Sequence, residues 1–255
     1  MKSLSRLLLL AAAGAAVLTL LGGGALLVYF VAHPAPARLS LDQKPPAAAT
    51  PTPAANPAAG QPGCGTVPAG GPAETWLITA GSQAGYRVEE KFAELTSPHE
   101  AVARTQAVSG YMLVMRPAGA APVLAGGCVA VDGRTLRSVD ELPPPLPAAT
   151  RRDGHYGDML DLFNHPYVVF RAGRATLPDR TLSGDVVKLT LPGELEMRGN
   201  MRPIVAGVQA RLAGAQAEVA GSVVVHVPDF GVEVPLDPVV SPDVTLEFLL
   251  RLAAP

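Results

Sequence analysis

Val244-Thr245-Leu246-Glu247-Phe248-Leu249-Leu250-Arg251-Leu252-Ala253 is the stretch from which the fold is read. Val244, Leu246, Phe248, Leu250 and Leu252 fall on one parity, and Thr245, Glu247, Arg251 and Ala253 on the other. Only Leu249 breaks the alternation. A period of two sends successive side chains to opposite faces, so the segment reads as a half-buried β-strand.

The same period recurs upstream. Val187, Leu189 and Leu191 alternate with Lys188 and Thr190, and Leu195 and Met197 alternate with Glu194, Glu196 and Arg198. Pro192-Gly193 between them reads as a hairpin or sharp bend. Further strands are expected over 85–94, 103–115, 123–132, 167–177, 202–212 and 218–227, which makes seven or eight long strands. One helix interrupts them. Thr150 can cap a segment from Arg151 to Phe163 in which Tyr156, Met159, Leu160 and Phe163 recur at three- and four-residue spacing. Strands joined by short turns, without helices between successive ones, predict an antiparallel all-β domain. Small residues interspersed at Gly110, Gly184 and Gly221 leave room inside a closed barrel, and closure removes the unpaired edges of a sandwich.

The N-terminal third is organised differently. Residues 7–32 form an uncharged apolar run, longer than the roughly 7–15 residues of a signal-peptide core and sufficient for a span of about 20. The run predicts a single-pass anchor in the cytoplasmic membrane, with residues 1–6 as a cytoplasmic tail and the bulk of the chain outside. Ala35-Pro36-Ala37 resembles a small-residue cleavage site, so secretion after signal removal is the alternative. Residues 33–72 carry ten prolines among Ala, Thr, Gly and Gln and are expected to form a disordered linker. At about 3.1 Å per residue for a polyproline II chain, such a linker reaches on the order of 100 Å. Residues 73–255 are then one domain.

Charge and motif exclude several functions. Leaving aside Lys2, Arg6, Arg38, Lys44 and Asp42, the chain's 20 basic and 22 acidic residues reduce to 16 and 21, a net of −5. No basic stripe with interleaved aromatics is present, so nucleic acid is not an expected partner. There is no Gly-x-Ser-x-Gly elbow, phosphate-cradling glycine loop or Cys-x-x-Cys. His155 and Asp158 could share a helix face, but an ordinary surface ion pair explains them, and no catalytic residue, metal ligand or cofactor is assigned. Cys64 and Cys128 are compatible with one disulfide in an oxidising compartment; equally, Cys128 could be a small buried hydrophobe with Cys64 free or joined to another chain.

Several landmarks fall in a recognisable order. They are Trp76-Leu77-Ile78 with Ser82 and Tyr86-Arg87-Val88; Val129-Ala130-Val131-Asp132 followed by Thr135-Leu136-Arg137-Ser138; and Arg152-Asp153 with Leu160 and Leu162-Phe163. Then come Pro166-Tyr167-Val168-Val169-Phe170, Gly193-Glu194-Leu195 with Arg198-Gly199, and Phe230-Gly231-Val232 before Pro235. From Ala73 to Pro255 the chain resembles the YceI family of exported bacterial lipid-binding proteins. It departs from many members at Thr79, Gln83 and Glu90-Lys91, and at His155-Tyr156 in the helix. The resemblance implies an extended eight-stranded antiparallel barrel, similar to lipocalins, whose interior accepts a polyisoprenoid or related amphiphilic chain.

Parity then nominates the wall of such a tunnel: Tyr86, Val88 and Phe92; Val129 and Val131; Phe163 from the helix; Phe170; Leu189 and Leu191; Val225 and Val227; and Leu246, Phe248 and Leu250. A barrel filled by its own side chains would show the same periodicity. Arg151, Arg152 and Arg171, beside the helix that would gate the opening, are candidates for neutralising a phosphate head group. The expected function is sequestration or carriage of an isoprenoid-type lipid by a membrane-tethered domain. The competing expectation is an envelope module acting through protein contacts. Whether the barrel pairs with a second copy is left open.

Overall fold

The alternating segments close on themselves in the computed structural model, which describes residues 29–30, 32–41, 61–68, 71–95, 97–144, 146–178, 184–235 and 239–254. In chain order the elements are β1 (Glu74–Ile78), β2 (Gln83–Lys91), β3 (His99–Thr105), β4 (Val108–Met115), β5 (Val123–Asp132), β6 (Arg137–Ser138), α1 (Ala149–Met159), β7 (Tyr167–Ala172), β8 (Ala175–Thr176), β9 (Val187–Met197), β10 (Asn200–Ala213), β11 (Gln216–His226), β12 (Val239–Val240) and β13 (Asp243–Ala253). Eight of them form a ring in the order β1-β4-β5-β7-β9-β10-β11-β13, every neighbour antiparallel. Leu77 opposite Ala253 and Ile78 opposite Leu252 close it. The sheet thus has no free edge where the ring is complete.

β13 holds two partners in succession. β1 takes its last residues, while β2 pairs with it from Arg87 opposite Thr245 to Gln83 opposite Leu249. The corner between β1 and β2 is pinned by Ser82, whose buried hydroxyl donates to the Thr79 carbonyl at 2.8 Å and accepts from the Arg251 N–H at 2.9 Å. β2 then carries β3 and β6 outward, and α1 packs beside them at one end of the barrel. That end also holds His99, Asp243, His226 and the β9–β10 hairpin; we call it the α1 end.

Three expectations about elements are corrected. The span 103–115 is two strands, because the chain turns at Gln106-Ala107, where the Thr105 hydroxyl accepts from the Ala107 N–H. Pro192-Gly193 lies within the continuous strand β9, and the hairpin falls at Arg198-Gly199, both at positive φ. Proline is tolerated there because the β7–β9 ladder ends opposite it: the Gly173 N–H still bonds the Pro192 carbonyl at 2.8 Å, and pairing stops at that bond. Helix α1 begins at Ala149 behind Ala148, which makes no side-chain cap, and ends at Met159 before Phe163. Its end is a Schellman arrangement: Asp161 has φ 50°, the Leu162 N–H bonds the Gly157 carbonyl, and the Asp161 N–H bonds the Asp158 carbonyl.

The anchor expected over 7–32 lies outside the described residues except at Tyr29, Phe30 and Ala32, as do the tail 1–6 and residues 42–60. Among the described residues no helix is long and apolar enough to cross a membrane. Parts of the span expected to be a disordered linker are seated on the barrel. Leu39 and Leu41 are buried against Ala220 and Leu249 on its outer face. That contact explains why Leu249 breaks the alternation of β13: it is covered from outside. Beside it, Glu247 is clamped by Arg87 at 2.9 Å and Arg104 at 2.8 Å and accepts from the Leu39 N–H. The same arginines donate to the carbonyls of Pro36 and Ala37. Further on, Cys64 is disulfide-bonded to Cys128, on the outer face of β5, with a Cα–Cα distance of 5.8 Å.

Candidate functional site

Inward-facing side chains of the ring do not meet at its centre. They surround a cavity of about 150 Å³, where a single water needs roughly 10–15 Å³ on the same scale. The space therefore holds on the order of ten waters, or a similar number of methylene-sized groups. Glycine helps to keep it open. The Phe170 ring lies over Gly193, where an added Cβ would sit 2.4 Å from its Cε2, and the Phe248 ring lies over Gly221, 2.8 Å from such a Cβ. Both aromatic rings thus occupy space that glycine leaves against the wall.

Ten of the side chains nominated by parity line this cavity: Tyr86, Val88, Val129, Val131, Phe170, Leu191, Val227, Leu246, Phe248 and Leu250. The other four do not. Phe92 is buried just beyond β2, outside the lining. Leu189 is half-buried and packs into the core cluster that contains Trp76 and Val208, at the end remote from α1. Val225 is buried against Phe230 and Val232. Phe163 is corrected outright: it is 95% exposed, because the left-handed residue Asp161 turns the chain and buries Leu162 in its place.

Parity alone missed the residues that close the α1 end. Tyr156 and Met159 of α1 and Leu160 at its C-cap present an apolar face to the cavity, and Val232 and Val234 from an irregular segment and Val240 from β12 complete it. The helical spacing of the first three was visible in the sequence. The valines carry no such periodicity. Leu195, Met197 and Val223 also line the wall, on the same parity as the nominated residues of their strands, and Ile204 lines it from β10, where no residue was nominated. Among the described residues the only charged one in the wall is Glu247, and its carboxylate is held on the outer face by Arg87 and Arg104.

Behind the two cavity tyrosines lies a buried polar network. The Tyr156 hydroxyl donates to Glu90 Oε1, and Tyr86 and Tyr156 meet edge to face at 5.5 Å. Arg152 Nη1 stands 2.7 Å from Asp140 Oδ2 and 3.5 Å from Glu90 Oε2, and Asp140 also takes His99 Nε2 at 2.7 Å and the Val102 N–H at 2.8 Å. Burial pushes the Asp140 carboxyl up, but its bonds to His99, Val102 and Arg152 outweigh this and hold it below the ordinary carboxylate range. Burial wins at Glu90, whose carboxyl is raised despite Tyr156 and Arg152. Burial, then Glu90, pushes both tyrosine hydroxyls well above the ordinary phenol range, so the rings at this end are neutral.

The arginines nominated for a head group are not assembled. Arg152, only 4% exposed, is spent on the network just described, and Arg171 is on the outer face of β7, paired with Glu196 at 2.7 Å. Arg151 is exposed on α1. Arg171 is turned outward by the alternation of β7, and the carboxylates that claim Arg152, Glu90 and Asp140, come from other segments.

A closed antiparallel barrel wrapped round an apolar cavity, with a short helix across one end, is an architecture with room for a small apolar molecule. The YceI-like domain model matches residues 97–252, and the chain belongs to that family. Among solved structures it is similar to a polyisoprenoid-binding domain from Saccharophagus degradans implicated in plant cell wall breakdown, at 13% identity and a TM-score of 0.52, covering 72% of this chain and 99% of that one. It is also similar to Burkholderia cenocepacia BcnA, at 16% identity and a TM-score of 0.47, covering 67% and 95%. At these identities the likeness to the first is one of fold. No curated protein matches the sequence.

Proposed function

We propose that this protein binds an isoprenoid or related long-chain lipid in the barrel, and that it does so while tethered at the outer face of a bacterial cytoplasmic membrane. The observation that carries the reading is the cavity: hollow, apolar on every side, and with its one charged neighbour turned outward. Filling it with about ten methylene-sized groups contributes roughly 8 kcal/mol at about 0.8 kcal/mol each, before association and ordering costs are deducted. That favours a hydrocarbon chain over a polar metabolite. The polyisoprenoid bound by the Saccharophagus degradans domain is a ligand of this type.

The tether rests on the uncharged run 7–32 and on the disulfide, which belongs in an oxidising compartment. Engagement of the Pro36 and Ala37 carbonyls by Arg87 and Arg104 supports retention of this segment rather than cleavage beside it. The role is binding and carriage, not catalysis. Organic extraction of the purified full chain followed by mass spectrometry tests it. A long-chain lipid near one per protein is expected; extracts without lipid from protein prepared with and without added polyprenol would leave only an envelope module acting by contact.

A further inference from the structure

The ring is continuous as a chain of strands but not as a ladder of hydrogen bonds. β10 and β11 pair from the hairpin at Ala213 and Gln216 only as far as Gly207 opposite Ser222. Both strands continue past that point, β10 back to Asn200 and β11 on to His226, each still paired with its other neighbour. Between them is a seam bridged by side chains. Its far end is closed by Asn200 Nδ2 donating to the Phe230 carbonyl at 2.9 Å and by Arg198 donating to the Gly231 carbonyl. The six residues 201–206 give it a length of roughly 20 Å at about 3.3 Å per residue.

Pro203 sits in the middle of this stretch. The two-residue hairpin at Arg198-Gly199 makes Asn200 and Met197 a hydrogen-bonded pair, so residue 203 directs its backbone nitrogen away from β9, towards the seam. A proline there has no N–H to offer β11. The two faces of the seam are both apolar. On the inside, Ile204, Ala206 and Val223 belong to the cavity wall. On the outside, Met201 is 42%, Val205 60% and Val224 65% exposed, three of the six large hydrophobic side chains most open to solvent among the described residues.

We propose that this seam is the side door of the barrel, laid against a lipid bilayer so that a hydrocarbon chain passes directly between membrane and cavity. The inference rests on the lipid-binding reading above and adds the route and the docking surface. An apolar chain leaving a bilayer for a barrel mouth must cross water; at a lateral seam it exchanges one apolar surface for another. Parting β10 from β11 here breaks no ladder bond, whereas parting neighbouring strands where their ladder is continuous would leave buried backbone groups without partners. The position of the N-terminal segment agrees with this. Phe30 lies 5.7 Å from His99, at the α1 end, towards which the seam also runs, and the apolar run precedes Phe30 directly. The occupant of the outer patch is therefore the bilayer in which that run would sit.

The test uses the full chain with phosphatidylcholine vesicles carrying a fluorescent long-chain polyprenol. Val205→Asp with Val224→Asp places two charges on the outer face of the seam without touching the cavity wall. The initial rate of uptake is expected to fall at least about tenfold, equivalent to about 1.4 kcal/mol at the barrier, with the final occupancy and melting temperature unchanged. Val186→Asp, a matched substitution at a 46% exposed valine away from the seam, is expected to load like the wild type. Wild-type uptake in the double variant would overturn the seam as the route. So would equal slowing by Val186→Asp, or a fall in occupancy parallel to the rate. A wild-type chain that takes up no polyprenol even from detergent solution would instead reject the lipid-binding reading itself, and the seam with it.

Discussion

Replacing Val131 by Trp separates a hollow barrel from a filled one. Val131 is on β5 and lines the cavity. Tryptophan adds about seven heavy atoms to that side chain, against room for on the order of ten groups of that size. In a hollow barrel the indole is accommodated, and folding stability stays within about 1 kcal/mol of wild type. In a close-packed core the same insertion costs about 1–3 kcal/mol or more through strained rotamers and backbone shifts. For the ligand the consequence is reversed. Losing space for about seven groups at roughly 0.8 kcal/mol each removes some 5–6 kcal/mol of gross contact, part of which is recovered where the chain can shift towards an opening. A loss of at least about a hundredfold in affinity is expected, equivalent to about 2.7 kcal/mol. Urea unfolding and equilibrium binding of a fluorescent polyprenol read the two effects. A strongly destabilised variant, or one that folds normally and binds as tightly as wild type, would refute the reasoning.

Other regions yield further expectations. Asp140→Asn removes the carboxylate that Arg152 and His99 share, and breaking a buried pair of this kind typically costs about 3–5 kcal/mol; urea unfolding at neutral pH checks it. Because the folded-state carboxyl of Asp140 is depressed, its stabilising contribution is present above the ordinary carboxylate pKa of about 3.9 and is lost as pH falls below that towards the folded value. Stability of the wild type should thus decline across that acid range more steeply than that of Asp140→Asn, and parallel acid profiles would contradict the assignment. Replacing Cys64 and Cys128 together by Ser opens a loop with a sequence separation of 64, for which chain entropy gives about 4 kcal/mol of lost stability. A double variant as stable as wild type would show that the bond constrains little. Leu39→Asp puts a charge into the contact with Ala220 and Leu249, whose leucine burial is worth about 1.5–3 kcal/mol; protease cleavage between residues 33 and 60 should accelerate, and an unchanged rate would contradict the docking of this segment.

Where the sequence was legible, the physics was local. Strands such as β13 and β9 present one face to the cavity and one outward, so parity placed Leu246, Phe248, Leu250 and Leu191 on the wall. Arg171 follows Phe170 on β7 and so takes the opposite face, which its position near the helix does not alter. The misplacements arise where a distant segment decides the outcome. Leu249 defies its parity because Leu39 and Leu41, from the far end of the chain, cover it. Phe163 continues the helical spacing of Tyr156 and Met159, but Asp161 adopts a left-handed conformation and the helix is over before it arrives. Pro192-Gly193 has turn chemistry, yet the end of β7 and the Phe170 ring make a proline and a glycine fit inside a strand. Arg152 looked free to meet a ligand until Asp140 and Glu90, from two other segments, came to lie on it. The seam had no signature of its own beyond Pro203, since where a ladder stops depends on the paths of two strands at once.

Native mass spectrometry of the full chain, released from mild detergent after exposure to a long-chain polyprenol, tests the central claim most directly. One lipid bound per wild-type chain, and none to Val131→Trp under the same conditions, is the predicted result. A wild-type spectrum showing only the bare protein mass, or equal lipid loading of wild type and Val131→Trp, would contradict a barrel whose cavity is the binding site.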